Sequence, residues 1–465
     1  MTGLALLILS GCLATLVPAD LDEFYDPASA ERHPDRNPVI VIPGFLGSRL
    51  VDADSQLVVW GAVGGDFADP KTAEGARAIA LSLREEVPSP AVRPDGVLDH
   101  IEFRHLSLRL TPYFKILRAL GAAGYRDEDL SERLAADFGG ERLNSFQFAY
   151  DWRLDNAANA RRLHEFIQEK AAYIRADRER RGQAAGKVRF DVIAHSMGGL
   201  VTRYYLRYGP RPLPADGSLP ELTWEGAQNV GRVILVAPPN AGSLKAALNL
   251  IHGVRHAPGF PFYDALLNGT FPAGYQILPR DRHGAYVDAR DPSKRLGSSF
   301  LDPELWRRAG WGLAARDKDE LLEWLLPDVA GAGERRRIAL AYQRRMLRLA
   351  DQFQRALDLP ASPPAGTELF LIAGDSIPTP EVLAVDPDSG EIEVIREDRG
   401  DGSVLRASAL MDERTGRRKS RDLVSPVAWR DIVYISRAHS RMALDPVFAD
   451  RIVYWLLEAK RPFSS

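Results

Sequence analysis

The stretch Phe190-Asp-Val-Ile-Ala-His-Ser-Met-Gly-Gly-Leu200 constrains this chain more than any other. Its first half is an apolar, β-rich run, and a helical pattern begins directly after it with no loop between. A strand that passes straight into a helix needs a very sharp turn, and the residue at its apex takes a strained backbone. Small residues two before and two after the apex keep neighbouring backbones apart. Ala194 and Gly198 fill those places around Ser196, with Ala standing where the usual pattern has Gly. The turn is expected to lift the Ser196 hydroxyl to the carboxyl edge of a sheet, near the positive end of the following helix.

The rest of the chain is read around that turn. Short apolar runs bounded by turn residues recur at Val39–Ile42, Ser145–Tyr150, Val188–Ala194, Val233–Ala237, Glu368–Ala373 and Ile432–Ile435. Such runs mark strands buried on both faces. Helical patterns fall between them at Ala157–Arg180 and Gly199–Tyr208, and at Asp445–Lys460 with Val447, Ile452, Trp455 and Leu456 as its inner face. Alternation of this kind predicts an α/β fold, a mostly parallel sheet with helices on both faces. Residues 241–365 break the rhythm. They carry Trp306, Trp311, Trp324 and a long basic helix with Ile338, Tyr342, Met346, Leu349 and Phe353 on one stripe. Arg337, Arg344 and Arg348 lie on another side, as a solvated face. This region is expected to be a cap inserted into the core. The expected organisation is therefore a leader and tether over 1–36, core over 37–240, cap over 241–365 and core again over 366–465. Glu381–Glu397 reads as a hairpin turning at Asp386–Gly390.

Composition narrows the chemistry. The net charge is −3, so no global pull toward nucleic acid follows. There is one Cys in 465 residues, which excludes an internal disulfide and a Cys-rich metal site. No cofactor and no metal are expected. An isolated serine is a poor nucleophile at neutral pH and needs a base, which in turn needs an orienting carboxylate. Where serine follows a strand in this way, the chain order is Ser, then Asp or Glu, then His. Only His252, His256, His283 and His439 follow Ser196, and the first three fall in the expected cap. His439 comes after the last strand and before the last helix, so it is the expected base. His195 is expected to support the turn. Asp401, in Gly400-Asp-Gly-Ser403, is the expected orienter, with Asp375 and Asp398 as rivals. The tetrahedral intermediate needs two preorganised N–H donors. Met197 N–H is one; Phe45 N–H, in Pro43-Gly-Phe-Leu-Gly47, is the other, with Leu46 as the alternative. These features predict an α/β-hydrolase fold with Ser196, Asp401 and His439 as a triad.

The single Cys12 follows a short apolar run, Leu4–Leu9, in Leu9-Ser-Gly-Cys12. This resembles the lipobox of bacterial lipoproteins, in which the peptide is cut before Cys and the Cys is lipidated. No Lys or Arg precedes Cys12, a departure from the usual leader. The resemblance implies a lipid-anchored protein of the bacterial cell envelope, membrane-associated through Cys12.

Four segments, Val41-Ile-Pro-Gly-Phe-Leu-Gly-Ser48, Tyr150-Asp-Trp-Arg-Leu154, Ala194-His-Ser-Met-Gly-Gly199 and Gly400-Asp-Gly-Ser403, together resemble the lecithin:cholesterol acyltransferase family. That family includes phospholipid:diacylglycerol acyltransferases and lysosomal phospholipases. The resemblance implies acyl transfer from a glycerolipid ester through an acyl-Ser196 intermediate, to water or to a lipid alcohol. Tyr150–Arg153 reads as mainly structural. Animal members have disulfides that pin a lid, which one Cys cannot form. An esterase or depolymerase acting on non-lipid esters is the alternative.

Overall fold

The computed structural model describes residues 36–461, apart from 64–66, 87–88, 90, 99, 104–105, 110, 134–142, 257–258 and 415–421. Cys12 and the leader and tether expected before residue 36 lie outside the described residues.

Six strands form the central sheet: β1 (Val39–Ile42), β2 (Ser145–Gln147), β3 (Phe190–His195), β4 (Val230–Val236), β5 (Glu368–Gly374) and β6 (Trp429–Ile435). Their order across the sheet is β6-β5-β4-β3-β1-β2, and every neighbouring pair is parallel. All six carboxyl ends therefore open at one edge. This is the α/β-hydrolase fold.

Successive side chains on a strand point to opposite faces, so a strand buried on both sides feeds two cores. Ile40, Ile42, Val192, Ala194, Val233 and Leu235 face one core. There they meet Leu163 and Ile167 of α2 (Asn156–Arg180) and Leu200 and Val201 of α3 (Met197–Tyr208). Val39, Val41, Ile193, Ile234 and Val236 face the other. Their partners are Ile116 and Leu120 of α1 (Thr111–Ala122), and Phe448 and Ile452 of α6 (Pro446–Val453). Local signals fix where helices begin. Asp155 accepts hydrogen bonds from Ala157 N–H and Ala158 N–H at the start of α2. Asp445 caps α6 through Val447 N–H, and Pro446 opens its first turn.

Among the described residues, no strand of the central sheet lies between Val236 and Glu368. That span builds a separate apolar cluster around Tyr286, Phe300, Trp306, Trp311 and Leu322. Phe300 stacks on Tyr286 with ring centroids 3.7 Å apart. The cluster is closed by α5 (Ala332–Asp358), a 27-residue helix. Helix α4 (Leu244–His252), capped by Ser243 through Ala246 N–H, joins it to the core.

Four features differ from the sequence expectation. The hairpin Ile377–Val385/Ile392–Gly400 pairs with Tyr286–Asp288, and Leu383 and Val385 pack in this same cluster, so the cluster draws on both sides of β5. Segments of 48–109, between β1 and β2, form two small three-stranded sheets. On α5, Leu347 and Ala350 are fully buried while Ile338 and Leu349 are half-buried, because the helix packs over a wider arc than the stripe implied. In α6 Val447 is 43% exposed and Phe448 is buried. Phe448 packs in the core that holds Val39, Val41, Ile234 and Val236, where the larger ring buries more apolar surface than Val447 would.

Candidate active site

The strand-to-helix turn at Ser196 forms as its residues require. Ser196 has φ 53° and ψ −126°, a region that L side chains rarely adopt. A Cβ on Gly198 would lie 2.4 Å from the Pro43 carbonyl oxygen, so only glycine allows α3 to start this close to the loop after β1. Met197 opens α3 directly behind the serine.

Three loops from the same sheet edge bring the remaining residues together. His439 Nε2 lies 2.9 Å from Ser196 Oγ, and His439 Nδ1 lies 2.8 Å from Asp401 Oδ2. The chain separations are 243 and 38 residues. Asp401 is 2% exposed. Its Oδ1 accepts Ser403 N–H at 2.9 Å and Val404 N–H at 2.7 Å, a tight turn that the glycine at 402, with φ 83°, makes possible. Backbone bonds add to this, since His439 N–H donates to the Asp401 carbonyl at 2.9 Å. Gly374, ending β5, gives Asp401 its room: a Cβ there would lie 2.5 Å from Asp401 Cβ.

The electrostatics follow from burial against pairing. Burial alone would lower the His439 pKa, but the charge and hydrogen bond of Asp401 outweigh it, leaving the imidazole above its ordinary value. For Asp401 burial pushes upward, and His439 with the two backbone N–H groups pulls the carboxyl below its usual range. His195 behaves otherwise. Burial and the neighbouring His439 hold it down at about 3, so it is neutral at working pH.

The loop Pro43–Gly47 crosses beside Ser196, with a Cβ on Gly44 meeting Ser196 Cβ at 2.7 Å. Gly44 N–H donates to Tyr113 Oη at 2.9 Å, and Gly47 N–H to the Gly44 carbonyl at 3.0 Å. Phe45 and Leu46 lie between them and line the cavity that contains Ser196.

The string Tyr150–Arg153 anchors this loop from below. Tyr150 Oη donates to the Pro43 carbonyl at 2.9 Å, and Trp152 Nε1 to the Ser48 carbonyl at 3.2 Å. Trp152 meets Phe45 edge-on at 4.8 Å. Arg153 and Asp151 form a buried two-point pair at 3.0 and 2.8 Å, and Arg153 also donates to the Ile79 carbonyl at 2.7 Å.

A cavity of about 230 Å³ opens over Ser196 and His439. Phe45, Leu250, Val254, Phe271 and Ile277 give it an apolar wall, and Lys245 stands at its rim. Among the described residues, none of its lining side chains is a carboxylate. The larger groove of about 910 Å³ along α5 lies away from Ser196. Of the arginines there, Arg344 pairs with Glu304 and Arg345 with Glu85, which makes that side of α5 a solvated, charge-paired face.

His252 and His283 do not reach Ser196. His283 faces Glu413 at 3.3 Å. His256 lines the cavity but stacks edge-on against Trp60. The rival Asp398 lies opposite Thr379 on the exposed strand of the hairpin. Among the described residues, no three His, Cys, Asp or Glu side chains converge as a cation site. Sequence reasoning passed over Tyr113 altogether. It lies on a helix with no motif, and its partners are 69 and 82 residues away.

Comparison with known proteins agrees with this architecture. Residues 82–291 match the model of the lecithin:cholesterol acyltransferase family. The match contains Ser196 and supports an enzyme acting on ester bonds, as a hydrolase or acyltransferase. No curated protein matches the chain. Among solved structures, the Tle4–Tli4 complex is similar at 12% identity, 91% coverage of this chain and 99% of that one, with a TM-score of 0.53. Phospholipase PlaB from Legionella pneumophila is similar at 16% identity and a TM-score of 0.30; the match covers 72% of this chain and 56% of PlaB. Lipase 1 from Pelosinus fermentans gives 12% identity, 91% and 99% coverage and a TM-score of 0.32.

Proposed function

We propose that this protein is a serine lipid acyl hydrolase or O-acyltransferase that works through an acyl-Ser196 intermediate. The observation that carries the reading is the continuous line from Asp401 through His439 to Ser196 Oγ, at 2.8 and 2.9 Å, opening into an apolar cavity. His439 Nε2 takes the Ser196 proton as Oγ attacks the ester carbonyl. Met197 N–H, together with Phe45 or Leu46 N–H, receives the oxyanion. His439 then protonates the departing alcohol. Water or a lipid alcohol, deprotonated by His439, attacks the acyl-serine and frees the enzyme.

The apolar wall favours an acyl chain, and Lys245 at the rim suits a phosphate-bearing glycerolipid. Ser196→Ala should abolish turnover of micellar phospholipid with the melting temperature unchanged. An active Ser196→Ala enzyme would refute the assignment. The second reading, an esterase or depolymerase on non-lipid esters, would be favoured by turnover of short soluble esters together with inert phospholipid micelles. Mass spectrometry of products formed with and without added sterol or alcohol separates hydrolysis from transfer.

A lipid anchor on Cys12 would hold such an enzyme at the bacterial cell envelope, beside its substrate. Palmitate label that appears on the wild-type protein and is lost in Cys12→Ala supports this; label retained in Cys12→Ala refutes it. Among the described residues no helix is long and apolar enough to cross a membrane.

A further inference from the structure

Tyr113 and His195 join the three parts of the site by one chain of hydrogen bonds. Tyr113 Oη accepts Gly44 N–H at 2.9 Å and lies 3.1 Å from His195 Nδ1. His195 Nε2 lies 3.3 Å from the His439 carbonyl oxygen. A phenol has one proton to give, and a carbonyl can only accept. The Gly44 contact uses the phenol oxygen as acceptor, so its proton goes to His195 Nδ1. The imidazole proton is then on Nε2 and donates to the His439 carbonyl. Only this tautomer satisfies all three contacts. A charged ring would place a second donor against the phenol, and burial holds His195 neutral, as the chain requires.

Each link fixes a part of the chemistry. Gly44 N–H belongs to the peptide immediately before the one that carries Phe45 N–H, so pinning it fixes the entry to the stretch from which the loop presents its donors, while Gly47 N–H holds the Gly44 carbonyl of the Phe45 peptide itself. Leu46 at φ 64° leaves the loop in a conformation that needs such support. At the other end, the His439 backbone is held between His195 Nε2 and the Asp401 carbonyl.

We propose that Tyr113 and His195 act as one positioning unit that sets the oxyanion loop against the Ser196–His439 pair. This rests on the acyl-serine reading and adds two residues to it, neither touching the reacting atoms.

The test is Tyr113→Phe, which keeps the ring and removes the hydroxyl. Misplacing the oxyanion donors should lower kcat about 10- to 100-fold, since loss of one whole donor costs about 100- to 1000-fold. KM and the apparent pKa in the pH profile of kcat/KM should stay put, because the His439–Asp401 bond is untouched. His195→Phe should resemble Tyr113→Phe, and the double variant should cost no more than either single change. His195→Gln, which can still accept from Tyr113 and donate to His439, should lose much less. Wild-type kcat in Tyr113→Phe would overturn the proposal. So would additive losses in the double variant, or losses that merely track a fall in melting temperature across the set. A wild-type protein that turns over no ester and takes no fluorophosphonate at Ser196 would instead refute the acyl-serine reading itself.

Discussion

Replacing Asp401 by Asn should be among the most damaging isosteric changes, and the structure says why. Asp401 Oδ1 receives two backbone N–H groups, from Ser403 and Val404, while Oδ2 faces His439 Nδ1 at 2.8 Å. An Asn side chain has one oxygen and one NH₂. Turning the NH₂ toward the two backbone donors would strand buried donors at about 1–3 kcal/mol each. The amide oxygen therefore stays at the Oδ1 place, and the NH₂ faces His439. Nδ1 must then accept, which puts the imidazole proton on Nε2, where it donates to Ser196 Oγ. The base can no longer take the serine proton. A loss of about 10⁴-fold in kcat is expected, as for the corresponding change in other serine triads. That corresponds to about 5 kcal/mol of barrier. The melting temperature should move little, because size and both backbone contacts are kept. Initial rates on a chromogenic ester and on phospholipid micelles, with Asp375→Asn as control, make the measurement. A kcat within tenfold of wild type would refute the tautomer argument and return the orienter role to a rival.

Three further outcomes follow from the same geometry. Because Asp401 holds the His439 pKa above its ordinary value near 6.5, kcat/KM should rise with pH along a limb above that value; a limb well below it would contradict the pairing. The stability effect of this group has the opposite sign: it is fully present below about 6.5 and is lost as pH rises through the raised value, which a series of melting curves over that window can read. Gly374→Ala forces a methyl to within 2.5 Å of Asp401 Cβ, so activity should fall by more than the expected overpacking cost of about 1–3 kcal/mol would explain; unchanged kcat would show the orienter has slack. Arg153→Met leaves Asp151 buried without its partner and should cost about 3–5 kcal/mol in denaturant unfolding, an expectation that a change under about 1 kcal/mol would defeat.

The sequence alone determined the strand-to-helix turn at Ser196. Ala194, Gly198 and Gly199 leave few other backbone paths, and that constraint is local. It also determined the strands, because a segment buried on both faces must be apolar throughout whichever neighbours it finds. β1 falls at the bounds its residues imply, and β5 and β6 extend only one to three residues beyond theirs. Chain order narrowed the candidate base to His439. Tertiary structure alone decided what depends on contacts between distant segments. Tyr113 carries no motif, and only the docking of α1 brings its hydroxyl to Gly44 and His195. The hairpin after β5 could be seen as a hairpin, but its place in a second sheet is set by pairing with Tyr286–Asp288, 97 residues earlier in register. A single helix pattern likewise could not place Val447 outside and Phe448 inside, since that choice depends on how α6 docks against the sheet. Local sterics and burial are written in neighbouring residues, whereas hydrogen-bond partners across the fold exist only once the chain has closed.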